Sequence, residues 1–168
     1  MHAMTKENLE AAFAGESQAH MKYLIFADQA EKDGYPNIAR LFRANAYAEQ
    51  VHATGHFKVL KKLSTTEENL GVGVEGETFE IEEMYPAYIA VAELQDERGA
   101  VRSTKWAREA EKVHAEMYKA AKVSAEAGKD AEVGKMYVCS VCGWTGEGDE
   151  PDNCPLCNAK KELFRLFS

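Results

Sequence analysis

Six letters written twice constrain this chain more than any other feature: Ala48-Glu49-Gln50-Val51-His52-Ala53 and Ala110-Glu111-Lys112-Val113-His114-Ala115. In both copies a Glu precedes a His by three residues, inside a stretch patterned as a long helix. Residues i and i+3 of a helix share a face, so one carboxylate and one imidazole project together. A Glu-x-x-His from each of two helices, with a further Glu from each of two others, is the ligand set of a carboxylate-bridged di-metal site in a four-helix bundle. A single pair arises by chance on a wet helix face. Two copies inside an internal repeat are much harder to explain that way.

The repeat extends beyond these letters. Glu7-Asn8-Leu9 returns as Glu68-Asn69-Leu70 and Gly15-Glu16 as Gly76-Glu77, both 61 positions later, while the Glu-x-x-His copies lie 62 apart. A helical hairpin has been duplicated and one residue gained. The first helix, from Thr5 to about Lys32, carries Leu9, Phe13, Glu16, His20, Tyr23 and Ala27 on one stripe. The second, to about Leu63, carries Ile38, Phe42, Asn45, Glu49, His52, His56, Val59 and Leu63. Asp33-Gly34-Tyr35-Pro36 punctuates the two, with Gly34 suited to a left-handed cap and Pro36 to a first helical turn. The third carries Glu77, Glu80, Met84, Tyr88 and Val91, with Pro86 expected to bend it. The fourth, after Gly99, carries Thr104, Ala107, Glu111, His114, Tyr118 and Ala121.

On these stripes the polar residues interrupt the apolar face. Glu16, Glu49, His52, Glu77, Glu80, Glu111 and His114 stand in register with Leu, Phe, Ile and Val. Burying five carboxylates unpaired would cost several kcal/mol for each. Two cations would largely neutralise them, and mixed oxygen and nitrogen ligation suits iron or manganese better than a soft metal. His20 and His56 have Ile81 and Tyr118 as repeat counterparts and read as supports behind a ligand or as packing residues rather than as ligands. Tyr23 and Tyr85, each shortly after a ligand Glu, are candidate hydrogen-bond donors at a reacting oxygen, although core packing is the commoner fate of a Tyr. Glu80 has no carboxylate counterpart, because Ala19 occupies the matching place. It breaks the symmetry of the site and reads as a ligand that comes and goes with oxidation state.

A two-fold relation between the hairpins makes helices two and three parallel, so their connection has to travel the length of the bundle. A helix of about 28 residues is roughly 42 Å long, whereas Ser64-Thr65-Thr66 spans about 10 Å when extended. Either Gly71, Gly73 and Gly76 hold an extended stretch, or the second hairpin completes the bundle of a partner chain. The expectation is the second, a domain-swapped homodimer.

All four cysteines of the 168-residue chain lie between positions 139 and 157. Such clustering reads as a metal site in a reducing compartment rather than a disulfide framework. Cys139-Ser140-Val141-Cys142 and Cys154-Pro155-Leu156-Cys157 are paired knuckles that offer four thiolates in a tetrahedron, for zinc or for a single iron. The expected domains are a helical bundle at 1–127, a small, polar linker at 128–135 and the cysteine module at 136–168. A formal net charge of −8 argues against nucleic acid or an anionic membrane as partner. The first residues lack the blocks of a signal peptide and no run is apolar enough to span a bilayer, so the expected location is cytoplasmic.

The chain resembles the rubrerythrins, on Ala14-Gly15-Glu16, Ala48-Glu49-Gln50-Val51-His52, Gly76-Glu77-Thr78-Phe79-Glu80, Met84-Tyr85-Pro86, Glu111-Lys112-Val113-His114 and the rubredoxin-like Cys139 to Cys157 tail. The short connection before the third helix is similar to the domain-swapped branch. The resemblance implies a mainly α fold, a ferritin-like four-helix bundle followed by a small rubredoxin-like four-cysteine metal domain. It implies two irons at Glu16, Glu49, His52, Glu77, Glu80, Glu111 and His114, and one iron at Cys139, Cys142, Cys154 and Cys157. The implied activity is reduction of hydrogen peroxide to water, with electrons from a rubredoxin or an NAD(P)H-dependent reductase. Glu80, or another carboxylate near it, is then expected to accept and return the proton, with Tyr23 and Tyr85 as catalytic candidates that donate hydrogen bonds to bound carboxylates or stand near a reacting oxygen. A ferritin-like ferroxidase or iron store would share the helical ligands without needing the cysteines. A helical adaptor with a zinc ribbon would need neither iron nor Glu49.

Overall fold

Alanines on the facing sides of two helices allow them to lie close together. In the computed structural model, which describes residues 1–168, the unit Met1–Ser64 is a hairpin of α1 (Ala3–Lys32) and α2 (Pro36–Val59). Ala27, Ala30, Ala39, Ala46 and Ala53 are its buried residues. Phe13 meets Phe57 with ring centroids 5.2 Å apart, and Phe42 lies 6.1 Å from Tyr23 and 5.6 Å from Phe26. Contacts of this kind contribute about 1 kcal/mol each beyond the area they bury.

Both helices of the hairpin end in the same way. Gly34 has φ +80°, Tyr35 N–H donates to the Ala30 carbonyl and Gly34 N–H to that of Glu31. This paired closure satisfies carbonyls that the helix end leaves open. The second helix stops at Val59 rather than reaching Leu63, where its stripe runs. There Lys61 takes a left-handed conformation (φ +56°), and Lys62 and Lys61 N–H close onto Phe57 and Lys58.

The second unit, Thr65–Ser168, begins with α3 (Thr66–Phe79), capped by Thr65 Oγ1 accepting from Glu68 N–H. Gly71, Gly73 and Gly76 all lie within this helix, which removes the extended stretch as a way of spanning a bundle. Gly73 has a packing reason instead: a Cβ there would stand 3.1 Å from the Tyr118 ring.

The extra residue of the repeat has a definite place. Glu16 and Glu77 are 61 apart but Tyr23 and Tyr85 are 62 apart, so the insertion falls between Glu77 and Tyr85. At Glu80–Met84 the helix widens into a π-helical turn before continuing as α4 (Tyr85–Leu94). A π turn absorbs one added residue without rotating the faces on either side of it. Tyr85 N–H bonds the Glu80 carbonyl, five residues back. The next carbonyl, of Ile81, would need an N–H from Pro86, which has none. Arg108, on α5 (Arg98–Glu126), supplies it: Nε donates to the Ile81 carbonyl at 2.9 Å. Pro86, expected to bend the third helix, sits in the first turn of α4 directly after the π turn, where proline is tolerated.

Arg108→Gln is expected to lower stability by about 1–3 kcal/mol, the cost of leaving a half-buried carbonyl unpaired. Pro86→Ala restores a backbone donor, so in that background the same substitution should cost less. Denaturant midpoints of the four chains check the pairing, and equal losses in both backgrounds would refute it.

Beyond α5, which runs through Ser124 to Glu126 before Gly128 caps it, the cysteine module is a three-stranded antiparallel sheet. Its strands are β1 (Met136–Cys139), β2 (Thr145–Glu147) and β3 (Phe164–Phe167), in the order β2-β1-β3. Tyr137 pairs with Gly146 on one side and Leu166 on the other. No helix is long and apolar enough to cross a membrane.

Candidate metal centres

Three clusters bring possible ligand atoms within 4.8 Å of one another: Glu16, Glu49 and His52; Glu77, Glu111 and His114; and the four cysteines. The first lies in the α1–α2 hairpin and the second on α3 and α5, so the duplicated hairpins each carry one equivalent set. In the first, His52 Nδ1 stands 3.1 Å from Glu49 Oε2 and 3.9 Å from Glu16 Oε1. In the second, His114 Nδ1 is 2.5 Å from Glu111 Oε2. The α5 pair is the more enclosed, with side-chain exposures of 16% for Glu111 and 27% for His114, against 19% and 55% for Glu49 and His52. Each set offers carboxylate oxygens and one imidazole nitrogen around a common point, which suits a hard or borderline cation.

The electrostatics of the second set also fit a cation. Burial and the neighbouring Glu111 carboxylate push the Glu77 carboxyl up to about 7, with Glu80 adding to the effect. Glu80 is likewise raised, by burial and then Glu111, while His114 eases it. Three carboxylates crowd one imidazole. Glu80 belongs to this field, yet its oxygens lie outside the ligand trio.

A consequence for the metal-free chain can be measured. A carboxyl whose folded pKa is raised gives stability that is full below its ordinary value near 4.5 and is lost as pH rises through about 7. Metal-free protein should therefore melt at a higher temperature at pH 5.5 than at pH 8. Glu77 is partly solvated, so the difference is about 1–2 kcal/mol after allowance for screening. Metal binding displaces protons from ligands, so loaded protein should show the opposite trend. Calorimetry at the two pH values, with and without metal, provides the check.

Of the remaining residues singled out in the sequence, Tyr85 packs edge-on against Tyr88 at 6.4 Å. Burial, with Glu80, Glu111 and Glu77 next, pushes its hydroxyl above the ordinary value, so it stays a hydrogen donor. Tyr23 stands among Phe26 and Phe42. His20 Nδ1 lies 2.8 Å from the Ala46 carbonyl, tying α1 to α2 as a packing residue.

In the cysteine module, Cys139 and Cys157 sulfurs are 3.6 Å apart, as are those of Cys142 and Cys154. A tetrahedron with metal–sulfur bonds of about 2.3 Å has edges of roughly 3.8 Å, so the thiols are spaced for a metal and not for disulfides. Each knuckle folds back on its own backbone. Cys139 N–H donates to Trp144 and Gly143 N–H to Cys139; Cys154 N–H donates to Ala159 and Asn158 N–H to Cys154. Burial opposes ionisation of Cys154, but the N–H groups of Cys157 and Leu156 outweigh it and hold that thiol below its usual range. Burial raises Cys142 strongly.

Sequence reasoning missed one contact. His114 Nε2 lies 2.8 Å from Thr145 Oγ1, at the start of β2, so the cysteine module is attached to the α5 set by a hydrogen bond. Nothing in a lone strand Thr, 31 residues downstream, announces this.

The family model described as rubrerythrin matches residues 7–122, and that described as the rubredoxin-like domain of rubrerythrin matches residues 137–165. Rubrerythrin-2 of Clostridium acetobutylicum is 43% identical, over 99% of this chain and 98% of its own length. Nigerythrin of Nitratidesulfovibrio vulgaris is 37% identical, over 97% of this chain and 86% of its own. A solved structure of nigerythrin in its fully reduced, all-ferrous state superposes with a TM-score of 0.57 at 36% identity, covering 97% of this chain and 86% of that one. The fold class is the one the resemblance implied, mainly helical, with ferritin-like helices followed by a rubredoxin-like four-cysteine module. With family matches to both modules and relatives matched along nearly its whole length, the chain belongs to the rubrerythrin family.

Proposed function

We propose that the chain is a non-haem di-iron peroxidase of oxidative-stress defence in the cytoplasm. It reduces hydrogen peroxide to water with electrons relayed through the four-cysteine centre from a rubredoxin or an NAD(P)H-dependent reductase. The observation that carries this reading is the attachment of the tetrathiolate module to a carboxylate–histidine set through His114. A ferroxidase store has no use for a one-electron centre at that place, and an adaptor has no use for either set. In this division residues 1–127 build the bundle, 128–135 tether, and 136–168 deliver electrons.

Glu16, Glu49 and His52 would hold one side of the iron pair, and Glu77, Glu111 and His114 the other. Iron bound there would supply Lewis acidity and reducing electrons. Cleavage of hydrogen peroxide by two electrons and two protons gives two waters, so protons have to be moved between oxygens. Glu80, whose carboxyl is raised by burial and by Glu111 and which is the first residue of the π turn, accepts and returns one in this reading. Tyr85 remains protonated and donates a hydrogen bond; Tyr23, on the equivalent turn of α1, takes the matching place.

The two halves come together in a domain-swapped homodimer. Support comes from the short connection Leu60–Thr65 and from stripe residues Ile38, Val59 and Leu63, which are exposed in the chain alone. The test is to reduce purified protein without oxygen and add peroxide. Stoichiometric reoxidation of an iron-loaded sample is expected. A zinc-only, colourless sample that ignores peroxide would sink the proposal. In the same assay Glu80→Gln should retain iron but slow the reaction by about 10²–10⁴-fold, the usual scale of a positioned proton carrier.

A further inference from the structure

We propose that Thr145 is a positioning residue that fixes which nitrogen of His114 is offered to metal. The inference rests on reading Glu77, Glu111 and His114 as ligands. Thr145 is buried, and its hydroxyl stands between two partners, the Gly143 carbonyl at 3.1 Å and His114 Nε2 at 2.8 Å. A carbonyl only accepts, so the single hydroxyl proton points to Gly143. The oxygen then has lone pairs left for a proton on Nε2, which is where the neutral ring carries it once Nδ1 binds metal. In the neutral ring this leaves Nδ1 bare, with its lone pair directed at Glu111 Oε2, 2.5 Å away. Metal bound at that point would take both the Nδ1 lone pair and the Glu111 oxygen as ligands.

The hydroxyl is itself held firmly. Thr145 pairs with Val138 of β1, and the adjoining Trp144 carbonyl and Gly143 N–H bond the backbone of Cys139. The first cysteine knuckle thus carries the group that orients a ligand of the other centre. His52, the repeat counterpart, has no such partner at Nε2 and its ring is more than half exposed. The α5 set is the preorganised one.

The experiment uses zinc as a diamagnetic probe with the full-length chain and three forms: the parent, Thr145→Ser, which keeps the hydroxyl, and Thr145→Val, which keeps the shape. Two-bond nitrogen–proton spectra of the histidine rings read the tautomer directly. Competition titration, after the tetrathiolate has filled, reads affinity for the following equivalents. In the parent and Thr145→Ser, His114 should carry its proton on Nε2. Thr145→Val should lose that preference and weaken the α5 set about 10–100-fold, the range seen when the partner of a metal-bound histidine is removed. An unchanged tautomer with affinity within twofold in Thr145→Val would overturn the proposal. So would equal losses in both variants, which would point to packing. Neither readout involves peroxide, so a failure of the peroxidase reading leaves this result to stand or fall separately.

Discussion

Glu111→Gln is expected to abolish peroxide reduction and, in the same chain, to make the metal-free protein more stable at neutral pH. Glu111 is the hub of its set: it faces His114 Nδ1 at 2.5 Å and is the main charge raising both Glu77 and Glu80. Removing its charge relieves that repulsion when no metal is present. It also deletes a ligand, and loss of even a supporting partner costs about 10–100-fold in metal affinity. Gains in stability and loss of function should therefore come together, as is expected where a site is built against the preference of the fold. The same variant tests the assembly. A Glu49→Gln chain should be inactive for the equivalent reason. When the two inactive proteins are unfolded together, refolded and loaded with iron, a domain-swapped dimer produces heterodimers in which one site collects both substitutions and the other collects neither. Random pairing of the chains then restores about a quarter of the sites. A dimer in which each chain completes its own site restores none. Peroxide turnover of the mixture decides between them.

The ligand sets were legible because burial and charge conflict on a helix face. Glu16, Glu49 and Glu111 occupy positions that helical periodicity reserves for apolar side chains, and periodicity survives without any knowledge of the tertiary structure. The cysteine tetrahedron was legible because its ligands are close in sequence. The π turn was half visible. The change of repeat offset between Glu77 and Tyr85 records an inserted residue, yet whether an insertion becomes a loop, a bulge or a wider turn depends on what packs on both sides. Pro86 carried a further hint, since a proline there leaves a carbonyl for another group to satisfy, but only the fold names Arg108. Thr145 could not be read at all. Its hydroxyl matters because a strand of one module meets a helix of another, and neither segment carries a pattern that requires the other. The end of α2 was misread for a related reason: the stripe continues to Leu63, but Lys61 adopts a left-handed cap that its residue type does not favour.

Chemistry and electron supply should come apart in a single variant. Cys154→Ala is expected to leave a single reoxidation of the reduced carboxylate–histidine centre by peroxide, while steady turnover with a nicotinamide-linked donor falls to background. Cys154 is chosen because backbone N–H groups hold its thiol below the usual range, which favours the thiolate that a metal binds. Its sulfur also forms one 3.6 Å edge of the tetrahedron with Cys142, and three thiolates no longer define a closed site. If the module serves only to stiffen the fold, single and multiple turnover should decline together, in proportion to the loss of folded protein. If the chain is an iron store, neither should depend on the cysteines. A split between the two rates is the outcome that only a relay produces. Stopped-flow mixing of pre-reduced protein with peroxide, run beside a coupled steady-state assay on the same sample, measures both. Retention of full steady turnover without Cys154 would remove the relay from the mechanism and leave electrons to enter the carboxylate–histidine centre directly.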